Sequence, residues 1–254
     1  MSVISLFAQD LSVNPPQNWT SYLHLESGFI YPNGSIRDNF AIRQNISSFY
    51  VNQTTDGEVS SKTSGFVFGL RWEWFNKKLR TGVSTGLRFI NYHSEIDGYS
   101  SSNSDFFYLR YSTENSDTRF ARVNSIVETN NLINIPLEFR FTPVQTSALG
   151  LFVKAGAEIS LVNLGKKTKI NFQEASMKSY QDEVLNDIGI AGKKFYSAAY
   201  ASAGMKFGRE NKTNYTIEVF LPSIFLTKDN FNLLNVKYFA GFKFAVLIPY
   251  KKHK

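Results

Sequence analysis

Residues 131 to 141 read NLINIPLEFRF, with Ile133, Ile135, Leu137, Phe139 and Phe141 apolar and Asn134, Glu138 and Arg140 set between them. Side chains that alternate with a period of two belong to a β-strand whose faces meet different media. The same template fits seven further segments, near 19 to 31, 64 to 76, 80 to 95, 149 to 164, 195 to 209, 213 to 226 and 235 to 250. The contrast is sharpest at 64 to 76, where Phe66, Phe68, Leu70, Trp72 and Trp74 oppose Gly65, Gly69, Arg71 and Glu73. The pattern predicts an all-β, antiparallel fold of eight strands.

The connections alternate in length. Residues 77 to 79, 143 to 148 and 210 to 212 read as tight turns, whereas 32 to 63, 96 to 129 and 165 to 194 run about thirty residues each, more than compact soluble domains usually carry. Outer-membrane barrels pair short periplasmic turns with long extracellular loops. Each segment also has room for the roughly 9 to 11 residues that a tilted spanning strand needs.

The two rows differ in bulk. The polar row is rich in glycine and small residues, which suits the crowded interior of an eight-stranded barrel, while the greasy row carries more volume than that interior accommodates. Trp19, Trp72, Trp74, Phe141, Phe207, Tyr215, Tyr238 and Tyr250 lie toward segment ends on the apolar row, where membrane-interface girdles sit. The reading is an eight-stranded antiparallel up-and-down transmembrane β-barrel with long extracellular loops and short periplasmic turns. A soluble, lipocalin-like barrel with the rows reversed is the alternative.

An outward greasy row encloses the charged one. The inward set is Glu26, Arg71, Glu73, Arg88, Glu138, Arg140, Lys154, Glu158, Lys206, Glu218, Lys237 and Lys243. Enclosed charges are costly unless paired. Both signs recur at adjacent depths, so a paired ionic core is expected to fill the lumen and leave little bore.

Composition narrows the function. Aromatic residues make up 15% of the 254 residues and cysteine is absent, which removes disulfides and thiolate metal sites. The net charge of +7 comes without any Lys/Arg run longer than two before the tail KKHK, which argues against nucleic acid as a partner. No stretch approaches the roughly 20 apolar residues of a membrane helix. The opening MSVISLFAQD reads as the end of a secretory signal with a cleavage point at Ala8. Residues 1 to 8 are therefore expected to be a signal remnant and 9 to 18 a periplasmic N-terminal segment. The barrel domain then covers 19 to 250, and 251 to 254 form a basic tail.

Candidate chemistry is sparse. His93, Ser94 and Glu95 offer an imidazole, a hydroxyl and a carboxylate, but neighbours in a strand point to opposite faces, so His93 does not activate Ser94 directly. His24 is expected in the lumen beside Glu26, and three histidines in all scarcely supply a metal site. Asp97, Asp105 and Asp117 fit no calcium-loop spacing. No catalytic residue, metal or cofactor is assigned. Asn45 to Ser47 read as loop composition, and FFYLRY at 106 to 111 is expected to extend a strand above the barrel. Met177, Tyr180, Val184 and Ile188 stand at helical spacing, predicting a short helix that caps the barrel mouth or meets a partner.

The phrases SLFAQ, NLINIPLEFRF and GLFVKAGAEISLVN resemble those of single-domain outer-membrane β-barrels of Bacteroidetes, the PorT-like group. The resemblance spans essentially the whole chain, and its motifs are architectural. It implies a barrel in the bacterial outer membrane with both termini in the periplasm and outer-membrane lipid around it. Some members serve the type IX secretion machinery and most have no assigned role. A protein partner met through the extracellular loops or the periplasmic termini is expected for this chain. The resemblance transfers no catalytic residue. Outer-membrane strands often finish on an aromatic residue, whereas here Tyr250 is followed by Lys251, Lys252, His253 and Lys254. The expected role is a structural or interaction component of the envelope. A lipid-modifying enzyme or a small-solute channel is the alternative.

Overall fold

The computed structural model describes residues 18–37, 42–43, 59–98, 106–112, 118–187, 196–209, 212–227 and 231–250. Along the chain these form β1 (Trp19–Ile36), β2 (Ile42–Arg43), β3 (Val59–Asn76), β4 (Thr81–Gly98), β5 (Phe107–Ser112), β6 (Thr118–Gln145) and β7 (Leu149–Phe172). A 3-10 turn (Ala175–Tyr180) leads into α1 (Gln181–Asp187), followed by β8 (Ser197–Phe207), β9 (Asn214–Phe225) and β10 (Leu234–Tyr250). The predicted signal remnant (1 to 8), residues 9 to 17, Asn45 to Ser47, Asp105, Asp117, Ile188 and the tail 251 to 254 lie outside the described residues.

The sheet closes on itself. Starting from β1, the antiparallel ring runs through β3, β4, β6, β7, β8, β9 and β10 and returns to β1. That is an up-and-down barrel of eight strands, one for each segment that carries the period-two pattern. Closure removes every exposed edge from the ring. β5 is an addition that pairs with β6 above the ring, and β2 pairs with β5.

At one end, here the turn end, the connections are short because side chains close them. Asn76 Oδ1 accepts from the Leu79 amide at 3.0 Å, and Thr146 Oγ1 accepts from the Leu149 amide at 3.0 Å. At the other, the loop end, the strands run well past the barrel. β6 spans 28 residues and β7 spans 24, so 118 to 129 and 165 to 172, both read as loop from the sequence, are strand. Register shifts hid this extension. One lies between Val123 and Ser125 and others at Asn131/Leu132 and Ile133/Asn134. The first adds Asn124 to β6 and the other two add Leu164 and Leu161 to β7, and each reverses the alternation of the strand that carries it, so a strict period-two reading stops there.

The faces are segregated by chemistry. Leu137 is 60% exposed and its neighbour Glu138 is 1% exposed, which assigns the apolar row of NLINIPLEFRF to the exterior. Leu25, Phe68, Leu87, Val153, Val219 and Phe244 share that outer surface. Inside, the fill is layered. Running from the turn end along β1, the inward residues are Tyr22, then His24 and Glu26, then Ile30; β3 runs Phe75, Glu73, Arg71, Val67 from the same end. An ionic layer therefore lies between an aromatic floor and an apolar plug.

The plug is continuous with the platform above it. Phe107, Leu109, Val123, Ile126, Ile170 and Val184 belong to one buried cluster with Tyr92, Phe220, Phe239, Phe231 and Leu233. Val184 on α1 is buried there and Met177 packs against it, as their helical spacing predicted, while Tyr180 is exposed. No helix among the described residues is long and apolar enough to cross a membrane, which says nothing of crossing by strands.

Candidate functional site

The ionic layer is built from alternate residues of neighbouring strands, which the pleat aims at the barrel axis. Glu26 on β1 accepts from Arg71 Nε at 2.6 Å and Arg88 Nε at 2.8 Å, and Lys243 Nζ lies 3.1 Å away. Glu138 on β6 is the hub. It binds Arg71, accepts from Arg88 Nη2 at 2.7 Å, and has Lys154 and Lys243 each at 3.4 Å. Arg88 also donates to Glu158 at 2.6 Å, and Lys154 donates to Glu218 at 2.6 Å.

A smaller group lies toward the turn end. Glu73 takes an ion pair from Arg140 at 3.0 Å and meets His24 Nε2 at 2.8 Å. His24 therefore partners Glu73, not the expected Glu26. The Arg140 guanidinium rests on the Phe75 ring at 4.6 Å, and the Lys206 ammonium lies 5.8 Å from the centre of the Tyr22 ring. Aromatic faces thus share the work of the carboxylates, an arrangement that suits cations removed from water.

One residue of the inward set departs from the sequence reading. Lys237 is exposed on the outside of β10. The register with β1 shifts so that Asn33 faces Tyr238 and Gly34 faces Val236. Lys237 is the extra residue of that bulge, and Val236 takes the inward position instead. A bulge leaves no local mark in an alternating sequence, so this reversal was not legible there.

The interior also holds groups the pattern did not single out. Tyr200 Oη donates to Glu138 at 2.8 Å while Arg88 donates to it at 3.1 Å. A Cβ added to Gly156 would meet that ring at 2.7 Å, so only glycine lets Tyr200 lie flat across the strand beneath it. Glu128 is the second omission. It accepts from the backbone amides of Asn232 at 2.9 Å and Leu233 at 3.0 Å, and Lys166 lies 3.3 Å away. This carboxylate fastens the segment before β10 over the barrel mouth and drives Phe231 and Leu233 into the plug. Lys166 is held below its ordinary pKa by burial, against the pull of Glu128.

The aromatic girdle is lopsided. Trp19, Trp74, Phe141, Phe207, Tyr215 and Tyr250 are exposed near the turn end, and Trp72 stacks edge-on with Tyr250 at 5.0 Å. Tyr238 is exposed at the loop end, beside Asn33 of β1.

His93 is exposed on the outer face of β4, and Ser94 is fully buried on the inner one. Glu95 and Asp97 share the outward row with His93, and burial with the nearby Asp97 carboxylate holds Glu95 above the usual carboxylate range. Asp97 pairs loosely with Lys62 at 3.9 Å. Among the described residues no group of His, Cys, Asp or Glu is placed to hold a metal ion.

These features define a closed antiparallel β-barrel with an apolar exterior and a charged, filled lumen. No family model matches the chain, and comparison with curated proteins gives no match either. Among solved structures it shows a distant likeness to the transport unit of the autotransporter AIDA-I from Escherichia coli. That likeness has 10% identity, covers 97% of this chain and 94% of the other, and gives a TM-score of 0.25. So low a score adds nothing to the fold, which rests on the strand pairing.

Proposed function

We propose that this protein is an integral outer-membrane β-barrel that serves the bacterial envelope as an anchor and interaction component. The observation that carries this reading is the sorting of the two faces. A belt of Leu, Phe, Val and Ile surrounds the cylinder while carboxylates and guanidinium groups are sealed inside it. In water that arrangement places the wrong group on each side; in lipid it satisfies both. The short turns then face the periplasm, and the strands that rise past the belt face outward.

The lumen supports holding over conduction. It is blocked twice along its axis, by the ion-paired layer around Glu138 and by the plug around Phe231 and Leu233. The loop-end sheet, α1 and the Glu128 clasp form a packed platform fit to present a fixed surface to a protein partner, with outer-membrane lipid around the barrel. Catalysis has less support, because His93 and Ser94 face opposite sides. The sequence resemblance to PorT-like barrels favours an envelope assembly, type IX secretion among them, over attachment to an external surface.

Refolding tests the central point. The chain should need detergent or lipid to remain monodisperse and should show heat-modifiable migration on a gel. Planar bilayers containing it should carry no stable current. A monodisperse chain in plain buffer, or steady unitary currents, would overturn the respective parts of the reading.

A further inference from the structure

On the outer wall, β4, β6 and β7 pass from hydrocarbon to charge in three steps toward the loop end. Phe89, Ile133 and Val162 stand side by side on these strands as the last wholly apolar row. The next row on that face holds Asn91 and Asn131, joined by a hydrogen bond from Asn91 Nδ2 to Asn131 Oδ1 at 2.6 Å. Beyond it His93, Thr129 and Lys167 are again direct partners. His93 and Lys167 are exposed, and Thr129 between them is half-buried.

The pleat divides the lysines of β7 between the two faces. Lys166 turns inward and lies 3.3 Å from Glu128, while Lys167 and Lys169 face out. Residues two apart on a strand share a face with their Cα atoms about 7 Å apart, so Lys169 adds a second cation just above the first. Neighbouring strands lie about 5 Å apart, so His93 and Lys167 flank Thr129 across a span of about 10 Å. A group seated over the Thr129 hydroxyl is reached from one side by an imidazole N–H and from the other by an ammonium on a flexible stem. The described carboxylates of this wall lie toward β3. Asp97 pairs loosely with Lys62 at 3.9 Å, and Val127 of β6 separates Glu95 from Lys169.

We propose that His93, Thr129, Lys167 and Lys169 bind the phosphate of an outer-leaflet lipid whose acyl chains lie along Val162 and Leu164. The inference rests on the membrane reading and adds a lipid site to it. Depth and chemistry coincide there. On a tilted strand each successive row of one face rises about 5 Å, and the headgroup layer on each side of a bilayer is about 5 to 8 Å deep. With the amide row at the edge of the hydrocarbon, the His93 row falls among the phosphates. Below it Val162 and Leu164 are 47% and 57% exposed, a surface that hydrocarbon chains cover. Phosphate oxygens accept from the hydroxyl, the imidazole and the ammonium groups together, and the negative charge answers the two lysines.

The test is native mass spectrometry of the full chain, refolded in detergent micelles and titrated with dioleoyl phosphatidic acid, whose headgroup is a bare phosphate monoester. Retention of phosphatidic acid is expected well above that of dioleoyl phosphatidylcholine, and added salt should weaken it. Lys167→Gln and Lys169→Gln should each lower apparent affinity about fivefold, the loss of one basic residue from a lipid surface. Thr129→Val keeps the shape and suits a strand, and should weaken binding about threefold through the lost hydroxyl. Lys78→Gln removes the same charge from the turn end and should leave retention unchanged. Each variant should keep the heat-modifiable migration of the wild type, so that lost retention reports the site and not the fold. Equal retention of the two lipids, or equal losses at Lys167 and Lys78, overturns the proposal. A chain that inserts into phosphatidylcholine vesicles yet shows no preference for phosphatidic acid overturns this site alone. One that stays monodisperse in plain buffer overturns the membrane reading and the site with it.

Discussion

Lys154 on β7 and Glu218 on β9 meet at 2.6 Å across β8, the strand that hydrogen-bonds to both. Arg71 on β3 and Glu138 on β6 likewise meet past β4. The ionic layer therefore ties strands that the backbone ladder does not join. It braces the cylinder from within.

Glu138 should be the most sensitive of these positions. It contacts Arg71, Arg88, Lys154 and Lys243, so Glu138→Ala leaves several enclosed cations short of a partner. Breaking one side of a buried charge network costs about 3 to 5 kcal/mol. Urea unfolding in detergent, followed by tryptophan fluorescence, should show a loss of this size. A loss below about 1 kcal/mol, the scale of exposed ion pairs, would mean that the lumen is hydrated.

Leu137, one residue earlier, tests the other face. Leu137→Arg should cost about 2 to 4 kcal/mol in a bilayer, the penalty of a lipid-facing charge near the midplane. The same substitution on a water-facing surface should change stability by less than about 0.5 kcal/mol. Equilibrium refolding into phospholipid vesicles distinguishes the two.

The clasp at the barrel mouth makes a local prediction. Glu128→Gln keeps the size of the side chain but weakens its bonds to the amides of Asn232 and Leu233. Hydrogen exchange at those two amides should accelerate, while the amides of Leu137 and Phe139 in the barrel wall stay protected. Uniform acceleration across both regions would show that the clasp and the barrel open as one unit.

Glu95 gives a pH signature beyond the apolar belt. Burial and then Asp97 raise its pKa above the ordinary carboxylate value of 4.5, so the folded state holds this proton more tightly than the unfolded chain. Stability should therefore fall as pH rises from about 4.5 through the raised value and level off above it. Glu95→Gln should remove that slope. A slope of unchanged size in the variant would assign it to other carboxylates.

The alternating rows of the sequence determined the fold class, the ring of eight strands and the inner positions of Glu26, Arg71, Glu138 and Lys154. They could do so because every residue of a strand in a closed barrel faces either the exterior or the lumen, so its chemistry is fixed residue by residue. The rows did not show that Ile30, Val67 and Phe75 share the inner face with the charges. An enclosed lumen accepts apolar side chains as readily as paired ions, so polarity alone marks only one of its two kinds of filler. Bulges decided the rest. They turned Lys237 outward and shifted β6 and β7 against each other where the two strands rise past the ring. A single inserted residue reverses every side chain beyond it, and whether the insertion is accommodated depends on the partner strand, which only the closed structure supplies.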